Sequence, residues 1–235
     1  NEWDDRVKCL LEIIVNHQQG IDWNIVSYGI SLMTHLACEW KTQDQISYLV
    51  SCATILLDHK EVRVRLQVSE LLQMLAMRVT QDFGMNHNIF TGTVPYLAKK
   101  AFNTWKRVDS TRCTLLGGDE RVPMDDTTGW GTLESDLKAL QAVILGAAAS
   151  APTLVPQYIQ HTTICATSEI ITSSLSHGQN VDDDKEERRG SNECDVEVEV
   201  NLAALLITYA SQHINRHLRE NAFKFIAQLF TIPST

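Results

Sequence analysis

The sequence has few of the signatures that announce chemistry. Its six cysteines, Cys9, Cys38, Cys52, Cys113, Cys165 and Cys194, form no C-x-x-C pair, and no N-x-S/T sequon occurs. That is the pattern of reduced thiols in an intracellular protein, cytoplasmic or nuclear, rather than of a disulfide framework. There is no G-x-S-x-G, P-loop or G-x-G-x-x-G; the loop pair Gly117-Gly118 has no phosphate-binding helix after it. Long apolar runs are missing too. AVILGAAASAPTLV contains Pro152 and is too short to span a bilayer, and NEWDDRVKCLLEII is acidic where a signal peptide needs a basic start. The chain is therefore expected to be soluble and to engage no membrane. Basic excess is absent: a net charge of −9 and a pI near 5.3 disfavour nucleic-acid binding, which needs Lys and Arg to neutralise phosphate. The chain starts without Met and its final IPST follows directly on an apolar helix, which suggests an excised piece of a longer polypeptide.

What the sequence does have is apolar residues at three- and four-residue spacing, the mark of amphipathic helices. Residues 3–18 carry Val7, Leu10, Leu11 and Ile14 on one face, with Asp4 and Asp5 in the first turn and Gly20 as the stop. Residues 22–40 follow with Asp22 as cap and Ile25, Tyr28, Leu32 and Leu36 as the expected buried stripe, then 42–57 and 60–81. A fifth helix is expected over 86–107, with Pro95 kinking it or splitting it in two. A Gly-, Asp- and Thr-rich loop covers 108–129. Two helices, 130–150 and 153–174, are separated by Ala151-Pro152, and two more, 196–212 and 215–230, close the chain. Only VEVEV, residues 196–200, alternates strictly. Because it runs straight into NLAALLITYA it reads as a helix start.

About nine helices of similar length with mostly short links suit helical hairpins stacked side by side. Self-similarity strengthens this. With Arg65 aligned on Arg219, Val64 meets Leu218, Val68 meets Ala222, Leu71 meets Phe225, Leu72 meets Ile226 and Leu75 meets Leu229. A polar residue, an aliphatic-Arg pair and then small and large apolars at fixed offsets resemble the second helix of HEAT and armadillo-type repeats. The segment GWGTLESDLKALQAVILG, residues 129–146, resembles the Trp-containing inner helices of importin-like arrays. The resemblance implies an all-α superhelix, one segment over residues 1–235, interrupted by an acidic disordered insert at 177–195. It also implies a structural role for Arg65 and Arg219, each reaching an acidic or amide group of a neighbouring repeat.

Candidate functional residues follow from charge. Between Lys60 and Arg121 stand ten Lys and Arg against six Asp and Glu, whereas Val181 to Glu199 has three against nine. Lys60 and Arg63, at the turn into the fourth helix, and Lys99, Lys100, Trp105, Lys106 and Arg107, in KKAFNTWKR, are expected to form a surface for a protein partner, with an acidic segment as the natural complement. Trp105 is its anchor. Trp3, Trp23, Trp40 and Trp130 read as seam fillers between hairpins. Arg188-Arg189-Gly190-Ser191 resembles an R-R-x-S kinase motif, which makes Ser191 a candidate regulatory site within the insert. His213 and His217 share a helical spacing but lack the Glu of H-E-x-x-H and a third ligand; Cys113 beside Arg112 is a weak nucleophile candidate. No metal, cofactor or small-molecule substrate is expected. The expected function is a non-enzymatic protein-binding scaffold, with an importin-like transport receptor and an all-helical enzyme with a dispersed site as alternatives.

Overall fold

The computed structural model describes the backbone of residues 2–115, 130–167, 197–212 and 216–231, and the side chains of 5–104, 131–162, 201–207 and 219–228. The elements are α1 (Glu2–Asn16), α2 (Trp23–Glu39), α3 (Gln43–Leu56), α4 (Val62–Asp82), a π-helical turn (Ile89–Thr93), α5 (Val94–Leu115), α6 (Trp130–Ser150), α7 (Leu154–His161), β1 (Thr163–Thr167), β2 (Glu197–Asn201), α8 (Leu202–Gln212) and α9 (Arg216–Thr231). The described residues are helical apart from one two-stranded ribbon.

Local chemistry sets most boundaries. Asp22 Oδ1 accepts the amide of Asn24 at 2.8 Å and starts α2. Thr42 and Gln45 form a reciprocal capping box at the start of α3. Pro95 has no N–H and cannot continue a helix from the turn before it. The chain accordingly winds through the π turn and begins α5 at Val94, which puts Pro95 in the first helical turn, where its missing donor costs nothing.

Three expectations are corrected. First, α5 continues to Leu115, so 108–115 is helix and not loop. Second, the helix expected over 153–174 ends at His161. The β-branched run Thr162-Thr163-Ile164 favours extended backbone, and Thr163–Thr167 forms β1. Third, VEVEV is a strand after all. Residues 197–201 pair antiparallel with β1, with Thr163 opposite Asn201 and Thr167 opposite Glu197. The helix after it starts at Asn201, whose side-chain oxygen accepts the amide of Ala203 at 2.8 Å. The ribbon brings Thr167 and Glu197 side by side, so the chain leaves and re-enters the fold at one place. The insert at 177–195, with Ser191, lies outside the described residues.

The helices pack in two layers. α1 lies against α3, and α3 against the π turn; in the other layer α2 lies against α4, α4 against α6 and α6 against α9. α5 and α6 pair as a hairpin, as do α8 and α9. The core runs between the layers through Leu11, Met33, Ile46, Leu49, Leu72 and Phe90, all sealed from solvent. The buried face expected of α2 is corrected: Val26, Gly29, Ile30, Met33, Leu36 and Ala37 are buried, whereas Ile25 and Tyr28 lie on the flank turned away from α4 and are exposed. Where described, the alignment of α4 with α9 keeps its physical content: Val68 and Ala222 are buried, Leu71 and Phe225 are buried, and Ile226 packs against the core as Leu72 does.

Hairpins are also joined by polar contacts at the turns. Gln18 Nε2 donates to Ile55 O at 3.2 Å and Gln19 Nε2 to Asp58 O at 3.0 Å. His59, buried, accepts the Glu61 amide at Nδ1 and therefore presents an N–H at Nε2 to Gln18 O, 3.1 Å away. His87 repeats the device, accepting the Ile89 amide at Nδ1 and reaching Ser47 Oγ at 3.2 Å with Nε2. Burial lowers the His87 pKa below the usual imidazole value.

The closest approach is between α4 and α6. A Cβ on Gly146 would stand 2.1 Å from Gln73 O and 3.1 Å from Ala76 Cβ. Gly146→Ala must therefore push two helix backbones apart. It is expected to cost about 2–3 kcal/mol, read as a fall in the urea midpoint, whereas Gly92→Ala, at a position with open space, should leave the midpoint almost unchanged.

Candidate functional site

The most site-like part of the molecule lies where the α3–α4 turn meets α5 and α6. The apolar stripe of α6, Leu133, Leu140, Val143 and Ala147, contains Asp136, a carboxylate with no solvent exposure. Lys100 of α5 answers it. Its ammonium lies 3.0 Å from Asp136 Oδ1 and 2.6 Å from Asp58 Oδ1 in the turn, with the Lys side chain only 15% exposed. Thr104, one turn further along α5, donates to Asp136 Oδ2 at 3.4 Å.

Arg65 completes the cluster from α4. It is buried, donates through Nε to Ser135 Oγ at 3.0 Å and through Nη1 to His59 O at 2.7 Å and Lys60 O at 3.0 Å. The bridge to a neighbouring hairpin expected of Arg65 is thus present, made to a hydroxyl of α6 rather than to an acidic or amide group. Arg219, its counterpart on α9, is half-buried.

Electrostatics within the cluster are tightly coupled. Burial pushes the Asp136 carboxyl above its ordinary value, outweighing the attraction of Lys100 and Arg65. Burial also works against the Lys100 charge, but Asp136 and Asp58 together overcome it and hold the ammonium above its usual value. The phenol of Tyr96, one turn before Lys100, is raised chiefly by burial, with Asp58 adding to the effect.

Outside the cluster opens a polar pocket of about 310 Å³, lined by Asp58, His59, Lys60, Arg65, Gly131 and Thr132. Lys60 stands exposed at its edge, its Nζ 3.4 Å from Gln19 O. Arg63 is exposed one turn into α4, with its guanidinium 5.4 Å from the centre of the Trp23 ring. Lys99 is exposed on α5. Lys100 requires correction: it does not join these cations at the surface, because two carboxylates draw it inward. Trp105, Lys106 and Arg107 belong to α5, and their side chains lie outside the described residues, as do those of Cys113, His213 and His217. Trp40 is buried and Trp23 half-buried, each at an end of α2.

The sequence did carry a signal for the cluster that its charge count passed over. Asp136 falls three residues after Leu133 and four before Leu140, squarely on an apolar stripe. Lys100 likewise falls three after Leu97 and four before Thr104. A charge in such a register must be buried and paired.

The polar groups of the cluster are engaged with one another. Ser135 receives the Arg65 N–H and donates to Gly131 O at 2.7 Å, so its hydroxyl is directed away from any base. Ser47 and His87 form a serine-histidine contact of the opposite polarity to a catalytic one. With Nδ1 filled by the Ile89 amide, the ring proton sits on Nε2 and is donated to Ser47, whereas a general base must receive the serine proton there. Among the described residues no three His, Cys, Asp or Glu side chains stand together to hold a metal ion, and no helix is long and apolar enough to cross a membrane. No protein-family model, curated protein or solved structure matches the chain.

Two outcomes test the clamp. Arg65→Leu strands two carbonyls and a hydroxyl in the interior and should cost about 2–3 kcal/mol by chemical denaturation, while Lys60→Ala should be close to neutral. Lys100→Met leaves the Asp136 carboxylate buried without its main counter-charge and should cost about 3–5 kcal/mol at pH 7. The pH dependence has a definite sign. A carboxyl whose native pKa is raised contributes stability fully below its unfolded value, near 3.9, and loses it as pH rises through the native value. Lys100→Met raises the native value further, so this variant should regain stability as pH falls from 7 towards 5. Adding Asp136→Leu should restore much of the loss at pH 7 and remove that slope.

Proposed function

We propose that the chain is a non-enzymatic protein-binding scaffold of the HEAT or armadillo type. The observation that carries this reading is the repeated contact between successive hairpins. Each hairpin buries one side on the next, α2 on α4, α4 on α6 and α6 on α9, with turn-to-turn hydrogen bonds alongside. That is how a helical-repeat array builds an extended surface from units that cannot cover their own apolar faces.

The partner surface is the exposed basic ridge of Lys60, Arg63 and Lys99, beside the 310 Å³ pocket. Its ligand is an acidic segment of a protein partner. Exposed cations guide encounter and fix orientation, while the inward Lys100 keeps the turn rigid by holding Asp58. Lys60 at that clamped turn and Arg63 held against Trp23 need little ordering when a partner arrives.

Reversing the ridge with Lys60→Glu, Arg63→Glu and Lys99→Glu together tests the proposal. Lysate proteins retained by the immobilised chain are quantified at 50 and 300 mM salt. The expected result is roughly a tenfold or greater loss of acidic binding proteins at the lower salt, with an almost unchanged melting temperature. Undiminished capture of the same proteins by the folded triple variant would overturn it. Stabilisation by several degrees with a metal or common cofactor would instead favour an enzyme.

A further inference from the structure

The first hairpin has a side that none of the described residues covers. α1 turns Lys8 towards α3, where Tyr48 donates to Lys8 O at 3.1 Å and the Lys8 ammonium lies 5.8 Å from the Tyr48 ring centre. Leu10 is two residues on, about 200° around the helix, and so faces away from α3, with Ile13 beside it. α2 turns Trp23, Ile30 and Thr34 towards α4, against Arg63, Gln67 and Leu71. Ile25 and Tyr28 stand two residues from Trp23 and Ile30 and face away by the same geometry. All four are open to solvent, Tyr28 to 76%. The stripe at positions 10, 13, 17, 21, 25, 28 and 32 contains no charged residue in a chain that is 21% Asp, Glu, Lys and Arg.

The last hairpin has a matching side. α9 faces α6 through Asn221 and Gln228, which contact Glu134 and Gln141. Phe223, two residues from Asn221, is on the opposite flank and 57% exposed. α9 is also the helix whose apolar and Arg positions align with those of α4 at six places, and α4 is the helix that packs against α2.

We propose that the chain associates head to tail with a second copy, the free flank of α9 docking on the uncovered side of α1 and α2. The contact continues the succession already present inside the chain. Each helix of that layer offers one flank to the helix before it and the other to the helix after it, and a second copy supplies the missing neighbour at both ends. Two helices about 24 Å long lying about 10 Å apart give a face of roughly 500 Å². A standard interface covers about 800 Å² per partner, so association is reversible and concentration-dependent. Because the two surfaces differ, the contact does not close on itself, and chains longer than dimers form. This inference rests on the stacking of the hairpins and uses no residue of the basic ridge, so either reading can fail without the other.

Sedimentation of the whole chain between about 1 and 200 µM tests it, with Tyr28→Glu and Phe223→Glu as blocking variants. Both positions are exposed, so neither change should lower the melting temperature much. The weight-average mass of the native chain should rise with concentration beyond that of a dimer. Each variant alone should stay monomeric. An equimolar mixture of the two should form a heterodimer and stop there, because each brings one intact surface. A native chain that stays monomeric throughout would overturn the proposal. So would a dimer that Phe223→Glu leaves intact and Tyr28→Glu abolishes, since that is a symmetric contact between two first hairpins.

Discussion

A buried carboxylate must find a positive partner, and in this protein that requirement links three segments that have little else in common. Asp136 is fully enclosed on α6, the cation paired with it is Lys100 on α5, and that cation also holds Asp58 in the turn before α4. Isolated in the interior, any of these charges would be expensive. Together they define how far α5 slides along α6 and where the α3–α4 turn sits above both. Arg65 adds a second constraint at the same junction, tying two turn carbonyls to the α6 hydroxyl. Apolar packing of helices tolerates some sliding; a charge triad with contacts near 3 Å does not.

From that junction the order of the stack extends both ways. Towards the N-terminus, the clamped turn at Asp58 and His59 receives Gln18 and Gln19 of the preceding turn. Within the same layer, Gly146 lets α6 approach α4 until backbone meets backbone, a spacing no larger residue would permit. Tyr158 anchors α7 on the π turn by donating to Phe90 O at 2.5 Å, and its burial pushes the phenol up to about 12. These polar groups hold one helix pair to the next.

Much of the architecture was legible beforehand because helical periodicity is a local property. The bounds of α6 came from apolar spacing, and Asp22 and Thr42 announced the starts of α2 and α3. The ribbon was misread because its two halves, TTICAT and VEVEV, lie about thirty residues apart. Each half adjoins a helical pattern, and a strand is stabilised by its partner rather than by its neighbours in sequence. The candidate surface was read less well. Lys100 looked like one more cation in KKAFNTWKR because net charge does not register which side of the helix a residue occupies.

The sequence by itself determined most of the helices, their caps and the break at Pro95, since each depends on residues within a few turns of one another. It also placed Asp136 and Lys100 on apolar stripes, and so required that both be paired. Only the tertiary structure decided that they pair with each other and with Asp58, that Arg65 reaches Ser135, that Gly146 marks a close contact of α6 with α4, and that Leu10, Ile13, Ile25, Tyr28 and Phe223 are exposed. Those outcomes depend on which helix arrives beside which, and contacts between residues 32 to 87 positions apart follow from the combined packing of the whole stack.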